Sequence, residues 1–378
     1  MVNYSDIKEA SLYGRYIVNS NIELLESKYR SFFEIEKLGT SVNGLPIYLY
    51  KIGKGKTKVL AWSQMHGNES TTTKALFDFF NRIIIDDDYS KLLLSSCTLY
   101  IIPILNPDGA LAYTRVNANS VDLNRDAQQQ SQPESRALMD TYKSINPDYC
   151  FNLHGQRTIF SAGYSSNSSV LSFLSPAENK QRSVTDTRKR SMEVVVAIKN
   201  SLESDLSDSV SRYNDAFNID CVGDAFQVLK TPTVLFEAGH FPGDYNREKT
   251  RYYVYKSLMA AFQYISKKSS FKNDYKQYFE LPENQKLFYD IIIRNVVFSD
   301  GNIVDVAIQY EEALNVDRLA FKPKVVLIGG LDEYFGHKEI DGARNSILIN
   351  NSMIKPCLLT IIDEISINGI DFVDKIAV

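Results

Sequence analysis

The chain has 378 residues, enough for one large domain with a smaller companion, and its 44% hydrophobic and 23% charged residues sit near globular averages. A formal charge of −4, with lysines and arginines scattered among the acids, leaves no basic stripe and argues against a nucleic-acid partner held through phosphates. No window approaches the roughly 18 to 20 apolar residues that span a bilayer, and the first residues lack a basic start followed by an apolar run. A cytoplasmic protein with no membrane partner is the expectation; an exported chain trimmed of its signal would read the same.

The first 30 residues read as helical or irregular, a leader packed on the domain that follows. Strand-like runs at 32–38, 46–52 and 58–64 come next, separated by the turn signals Asn43-Gly44 and Gly53-Lys54-Gly55, and suggest a sheet edge. From Glu69 the pattern alternates. Helical periodicity over 71–85 gives way to a continuous apolar run at 98–105. An amphipathic helix over 133–145 precedes a strand at 149–153. A long helix over 185–206, a strand at 233–236 and a helix over 247–265 complete the series. Helices alternating with continuously apolar strands indicate an α/β fold, a mixed and mostly parallel sheet with helices on both faces. The polar stretch 266–276 reads as a linker. Beyond it, β-rich runs at 288–298, 303–310, 324–328 and 346–349 are broken by glycine turns. The division expected is a domain over 1–268 and a small β-rich accessory domain over 278–378 without chemistry of its own. The cysteines Cys97, Cys150, Cys221 and Cys357 are widely spaced, form no CxxC pair and read as buried free thiols.

In an open α/β sheet, ligands gather at the carboxyl ends of the strands, and this chain's polar clusters follow directly on its apolar strands. The run Met65-His66-Gly67-Asn68-Glu69 ends one strand and opens a helix, so an imidazole and a carboxylate three residues apart can converge on one ion. Such a pair is common by chance. His154, at the end of another apolar strand, supplies a third donor, and three donors leave a fourth position open for water. His240 and His337 read as polar structural histidines. Glu237, directly after Val234, Leu235 and Phe236, is a candidate proton acceptor for the attacking water. Between these elements lie Asn106-Pro107-Asp108-Gly109, Arg115-Val116-Asn117 and Asp122-Leu123-Asn124-Arg125, which bring arginines and asparagines to one loop region.

Those pieces, together with Phe236-Glu237 and the stretch from about Leu38, stand in an order that resembles the zinc carboxypeptidases of the carboxypeptidase A type. The resemblance runs to about Ile265. It implies one zinc ion per chain on His66, Glu69 and His154, with Glu237 as general base and Arg115 polarising the scissile carbonyl. It also implies that Asn124 and Arg125 grip the terminal carboxylate of a peptide substrate, a task suited to a guanidinium fork. Tyr213 stands where the family has a mobile tyrosine. After the third ligand many members have Ser-Tyr, whereas this chain has Gly155-Gln156-Arg157, a feature in which it is similar to the cytosolic branch that trims acidic tails. The side-chain pocket implied at 219–226 contains Asp220 and Asp224, which would suit a basic terminal residue. Two other functions share these residues: a zinc amidohydrolase acting on N-acyl amino acids or cell-wall peptides, and a non-catalytic peptide-binding module.

Overall fold

A computed structural model of the protein describes residues 2–267 and 274–373, so the expected linker falls largely outside the described residues. The chain forms two compact units, one of residues 1–156 and 169–284, the other of residues 157–168 and 285–378.

The first unit is built on an eight-stranded sheet. Its strands are β1 (Glu34–Thr40), β2 (Pro46–Ile52), β3 (Thr57–Ser63), β4 (Cys97–Ile102) and β5 (Tyr149–Gly155), and, beyond a two-residue strand β6 (Phe160–Ser161) in the other unit, β7 (Leu171–Leu174), β8 (Val210–Arg212) and β9 (Thr233–Ala238). The spatial order is β1-β2-β4-β3-β5-β9-β7-β8. The central ladder β4-β3-β5-β9 is wholly parallel. Antiparallel pairs β1-β2 and β2-β4 extend it on one side and β9-β7 on the other. The three early strands do not all lie at an edge: β4 inserts between β2 and β3, which leaves β3 in the middle of the sheet. Its sequence, Thr-Lys-Val-Leu-Ala-Trp-Ser, has the unbroken apolar run of a strand covered on both faces.

The period of two divides the central strands between two cores. Val59, Ala61, Phe151, Leu153, Val234 and Phe236 join the core that the helices Thr71–Ile83, Asp186–Leu206 and Glu248–Ser266 cover. Leu60, Trp62 and Cys150 point to the opposite core, under the helices Pro133–Ile145 and Val222–Val228. The leader contributes three short helices, Tyr4–Ile7, Asn19–Glu23 and Glu26–Tyr29, and buries Ile7, Leu12, Ile17 and Tyr29 in the first core. Of the four cysteines only Cys97 and Cys150 are buried as expected; Cys221 is half-buried and Cys357 exposed.

The second unit is built from β-strands. Its strands are β10 (Gln285–Lys286), β11 (Phe288–Val297), β12 (Ile303–Asn315), β13 (Arg318–Gly329), β14 (Phe335–Asp341), β15 (Ile347–Ile349), β16 (Ile365–Ile367) and β17 (Ile370–Asp371). They form a four-stranded sheet in the order β13-β12-β11-β14 and a three-stranded sheet β15-β16-β17, with β10 paired to β6. Ile291, Ile293, Val306, Ile308, Ile347 and Ile365 make its core. The segment 157–168 belongs here because β6 pairs with β10 and the Thr158 carbonyl lies 2.7 Å from His337 Nε2. Among the described residues no helix is long and apolar enough to cross a membrane.

Candidate metal centre

The turn after β3 carries two of the three candidate donors. Met65 ends in a tight loop whose Gly67 backs onto the loop at Gly109: a Cβ on Gly67 would lie 1.9 Å from the Gly109 carbonyl carbon, so only glycine fits. The Asn106-Pro107-Asp108-Gly109 run is a brace. Asn106 caps its helix by accepting from Gly109 N at 2.8 Å, and its amide donates to the Met65 carbonyl at 3.2 Å. Asn68 N donates to the Thr114 carbonyl, which ties the turn to the loop that presents Arg115.

The third donor arrives through the sheet. β5 lies beside β3, and its last residues place His154 next to that turn. His66 Nδ1 is 3.0 Å from Glu69 Oε1, His154 Nδ1 is 3.0 Å from Glu69 Oε2, and the two Nδ1 atoms are 3.1 Å apart. All three residues offer donor atoms within 4.8 Å of one another. Tetrahedral ligands about 2.0–2.1 Å from zinc stand ~3.3 Å apart, so this separation suits one such ion at the centre of the three. The donor chemistry agrees: two imidazole nitrogens and a carboxylate facing one point, with both rings almost wholly buried.

His66 is aimed by its other nitrogen. Nε2 lies 3.0 Å from Asp122 Oδ1, and Asp122 Oδ2 accepts from Arg115 Nε at 3.1 Å. Arg115 Nη1 also reaches Glu69 Oε1 at 3.3 Å, so one guanidinium spans the carboxylate of the centre and the carboxylate behind it. Burial works against both carboxylates, but their contacts win. Bonds and charge from His66 and Arg115 hold Asp122 well below the usual carboxylate range. The two histidines do the same for Glu69. Burial lowers the His154 pKa, with the neighbouring His66 adding to it.

In the parallel pairing of β5 and β9, His154 stands directly opposite Glu237, so both side chains share one face of the sheet. Burial, reinforced by the charge of Glu69, pushes the Glu237 pKa well above its ordinary value. Its Oε2 is buried without a hydrogen-bond partner among the described residues. Tyr213, just past β8, feels the charges of Glu237 and Glu69, which after burial raise its pKa further. Asn124 accepts from Val222 N through Oδ1 at 3.1 Å. Arg125 Nη1 is bonded to the Asn124 carbonyl at 2.7 Å and contacts Cys221 Sγ at 3.2 Å. Asp224 accepts from Asn218 N at 3.3 Å, and burial pushes its carboxyl up to about 7. Of the residues singled out in the sequence, His66, Glu69, His154, Arg115 and Glu237 thus meet at one place. Asn124 and Arg125 follow Asp122 directly, against the loop that starts the helix Val222–Val228.

The sequence offers Asp122 only as the first residue of the Asp122-Leu123-Asn124-Arg125 run, without a role of its own, and Gln64 not at all. Asp122 lies 56 residues from His66 in sequence, and only its place two residues before Asn124 could have hinted at it. Gln64 accepts from Thr73 Oγ1 at 2.7 Å and donates to the Gly67 carbonyl at 2.7 Å, inside the turn itself.

The fold and this cluster define an α/β protein in which, among the described residues, one group of three donors that could hold a metal ion lies at the carboxyl ends of parallel strands. A sequence model of the zinc carboxypeptidase family matches residues 18–285, and the chain belongs to that family. Carboxypeptidase SOL1 of Arabidopsis thaliana is 29% identical over 165 residues, which is 37% of this chain and 33% of that protein. The chain thus matches about a third of the length of that curated relative. Among solved structures, the putative carboxypeptidase A from Shewanella denitrificans OS-217 has a TM-score of 0.55 at 18% identity, covering 67% of this chain and 70% of its own. The metallo-carboxypeptidase from Pseudomonas aeruginosa in complex with (2-guanidinoethylmercapto)succinic acid has a TM-score of 0.51 at 19% identity, covering 64% and 68%. These two likenesses establish the fold.

Proposed function

We propose that this protein is a zinc-dependent carboxypeptidase that removes the terminal residue of peptides, with one zinc ion held by His66, Glu69 and His154. The observation that carries this reading is the convergence of two Nδ1 atoms and a carboxylate, 3.0–3.1 Å apart, on a sheet face shared with the buried carboxyl of Glu237. Zinc bound there would supply a Lewis acid and lower the pKa of a water it holds.

The chain's own residues supply the rest. Glu237 takes a proton from the attacking water and returns it to the leaving amine, a role for which a carboxyl oxygen buried without a partner among the described residues is suited. Arg115 is half-exposed, with its guanidinium fixed by Glu69 and Asp122, and meets the negative charge that develops on the carbonyl oxygen. Asn124 and Arg125 bind the substrate's free carboxylate, and Tyr213 closes on the bound terminal residue. The compound bound in the Pseudomonas aeruginosa structure joins a guanidino group to a dicarboxylic acid. By analogy, Asp220 and Asp224 favour a basic terminal side chain here. Catalysis belongs to the domain expected over 1–268, with 278–378 as its accessory. The wide spacing of the cysteines and the lack of a CxxC pair accord with a cytoplasmic address.

The test is zinc per chain together with amino acids released from a mixed peptide library, with N-acyl amino acids and cell-wall peptides alongside. One zinc per chain and stepwise release from free carboxyl ends are expected. A metal-free protein without release would overturn the proposal, and hydrolysis confined to the acyl substrates would replace it with a deacylase.

A further inference from the structure

The turn that carries His66 and Glu69 is braced on one side by Asn106 and Gly109. On its other side lies the leader. Gln64, the residue that opens the turn, is fully buried and has a positive φ of 45°, a conformation a side-chain-bearing residue adopts only when its surroundings hold it there. Its amide nitrogen donates to two carbonyls, Gly67 within the turn at 2.7 Å and Ile17 of the leader at 3.0 Å. Ser70, at the far end of the turn, is buried as well, and its hydroxyl donates to the Arg15 carbonyl at 2.5 Å. The leader therefore runs along the turn and is held at both of its ends.

The leader is itself fixed upstream. Arg251 donates to the Leu12 carbonyl at 2.5 Å and the Glu9 carbonyl at 2.8 Å while it forms a fully buried ion pair with Asp78. Asp78 also accepts from Glu9 N and from the Tyr4 hydroxyl, both at 2.7 Å. A segment this firmly anchored can restrain what it touches.

We propose that residues 12–17 are a positioning strap for the metal-binding turn, with Gln64 and Ser70 as the positioning residues that fasten the turn to it. The inference rests on the metal-centre reading above and adds to it that the leader sets how tightly the ion is held. With the strap engaged, the His66 and Glu69 donors stay near the converged arrangement that His154 completes. Without it, the turn fluctuates and the donors separate, so the ion leaves faster although every ligand is still present.

The test uses the full chain and three variants. Gln64→Gly accepts the positive φ but loses the bond to Ile17 together with those to Gly67 and Thr73, and Ser70→Ala loses the bond to Arg15 alone. Asn81→Ala is the control: its amide donates to the Ile7 carbonyl at 2.9 Å, so it loosens the leader away from the turn. Two readouts are taken, hydrogen exchange of amides 65–70 in metal-free protein and the rate at which zinc passes to an excess of chelator.

The expected result is faster exchange in Gln64→Gly, a smaller effect in Ser70→Ala, none at 65–70 in Asn81→Ala, and zinc loss roughly ten- to a hundredfold faster in Gln64→Gly. Exchange at 65–70 unchanged in both grip variants overturns the strap. So does an equal acceleration in Asn81→Ala, because the effect then follows overall stability. If exchange responds as expected but even the parent protein binds no zinc, the strap stands and the metal-centre reading falls.

Discussion

Replacing Asp122 by asparagine separates aiming a ligand from being one. Asp122 Oδ1 meets His66 Nε2 at 3.0 Å and accepts from Asn124 N at 2.9 Å, while Oδ2 takes the Arg115 Nε and Nη2 groups, each at 3.1 Å. An asparagine of nearly the same shape keeps one carbonyl oxygen for His66 and Asn124. Its amide nitrogen, however, is turned toward a guanidinium, donor against donor, and the negative charge that makes the imidazole a stronger ligand is gone. Loss of such a partner typically lowers metal affinity about 10- to 100-fold, or about 1.4–2.7 kcal/mol. The Arg115 contact adds less to that figure, because its side chain is 47% exposed and solvent screens the pair. Its loss should instead appear in catalysis, as an arginine no longer held at the developing oxyanion. Competition with a chromophoric zinc chelator gives the affinity. Turnover of a peptide at saturating zinc isolates the arginine, with a fall of about tenfold expected. An Asp122→Asn protein that binds zinc within about twofold of the parent would show that the His66–Asp122 contact does not aim the ligand.

Three further outcomes follow from the same geometry. Glu237→Gln should lose about 10²–10⁴-fold in kcat while it keeps its zinc and its KM, since the change removes a proton acceptor and no ligand; full activity would remove Glu237 from the mechanism. Arg125→Met should raise KM for peptides with a free carboxyl end and leave the slow cleavage of amidated peptides as it was, so an equal loss on both would assign Arg125 to structure. Lys74 is buried at the Glu248 carboxylate, and burial depresses its pKa from 10.5 to about 8. Between those values the unfolded chain binds more protons than the folded one, so this group's contribution to stability rises with pH across that window, by up to about 3 kcal/mol. Urea midpoints of the parent against Lys74→Met from pH 7.5 to 9.5 should diverge in the parent's favour, and parallel curves would refute the assignment.

Much of the first unit is legible from local pattern. The strands 46–52 and 149–153 and the helices over 133–145 and 185–206 lie within a few residues of where periodicity places them, because burial on one or both faces writes a period into the chain. The short strands β7 and β8 escape it. Four and three residues are too few to show a period, and β7 is polar at Ser172, whose hydroxyl is satisfied by Gln156 and Ser211. The excursion 157–168 is hidden for a different reason. What ties it to the second unit is the pairing of β6 with β10, more than a hundred residues apart, and no local property of Arg157-Thr158-Ile159 announces it.

By itself the sequence determined the local chemistry: a histidine and a glutamate across one strand-to-helix turn, a histidine and a glutamate each at the end of an apolar strand, and the caps and glycines that shape those turns. Only the tertiary structure decided that they meet. β4 slips between β2 and β3, β5 and β9 align His154 opposite Glu237, and Asp122 comes to His66 across 56 residues of chain. Strand order and register are set by hydrogen bonds and packing between distant segments, and an element's own periodicity records which of its faces is buried but not which neighbour buries it.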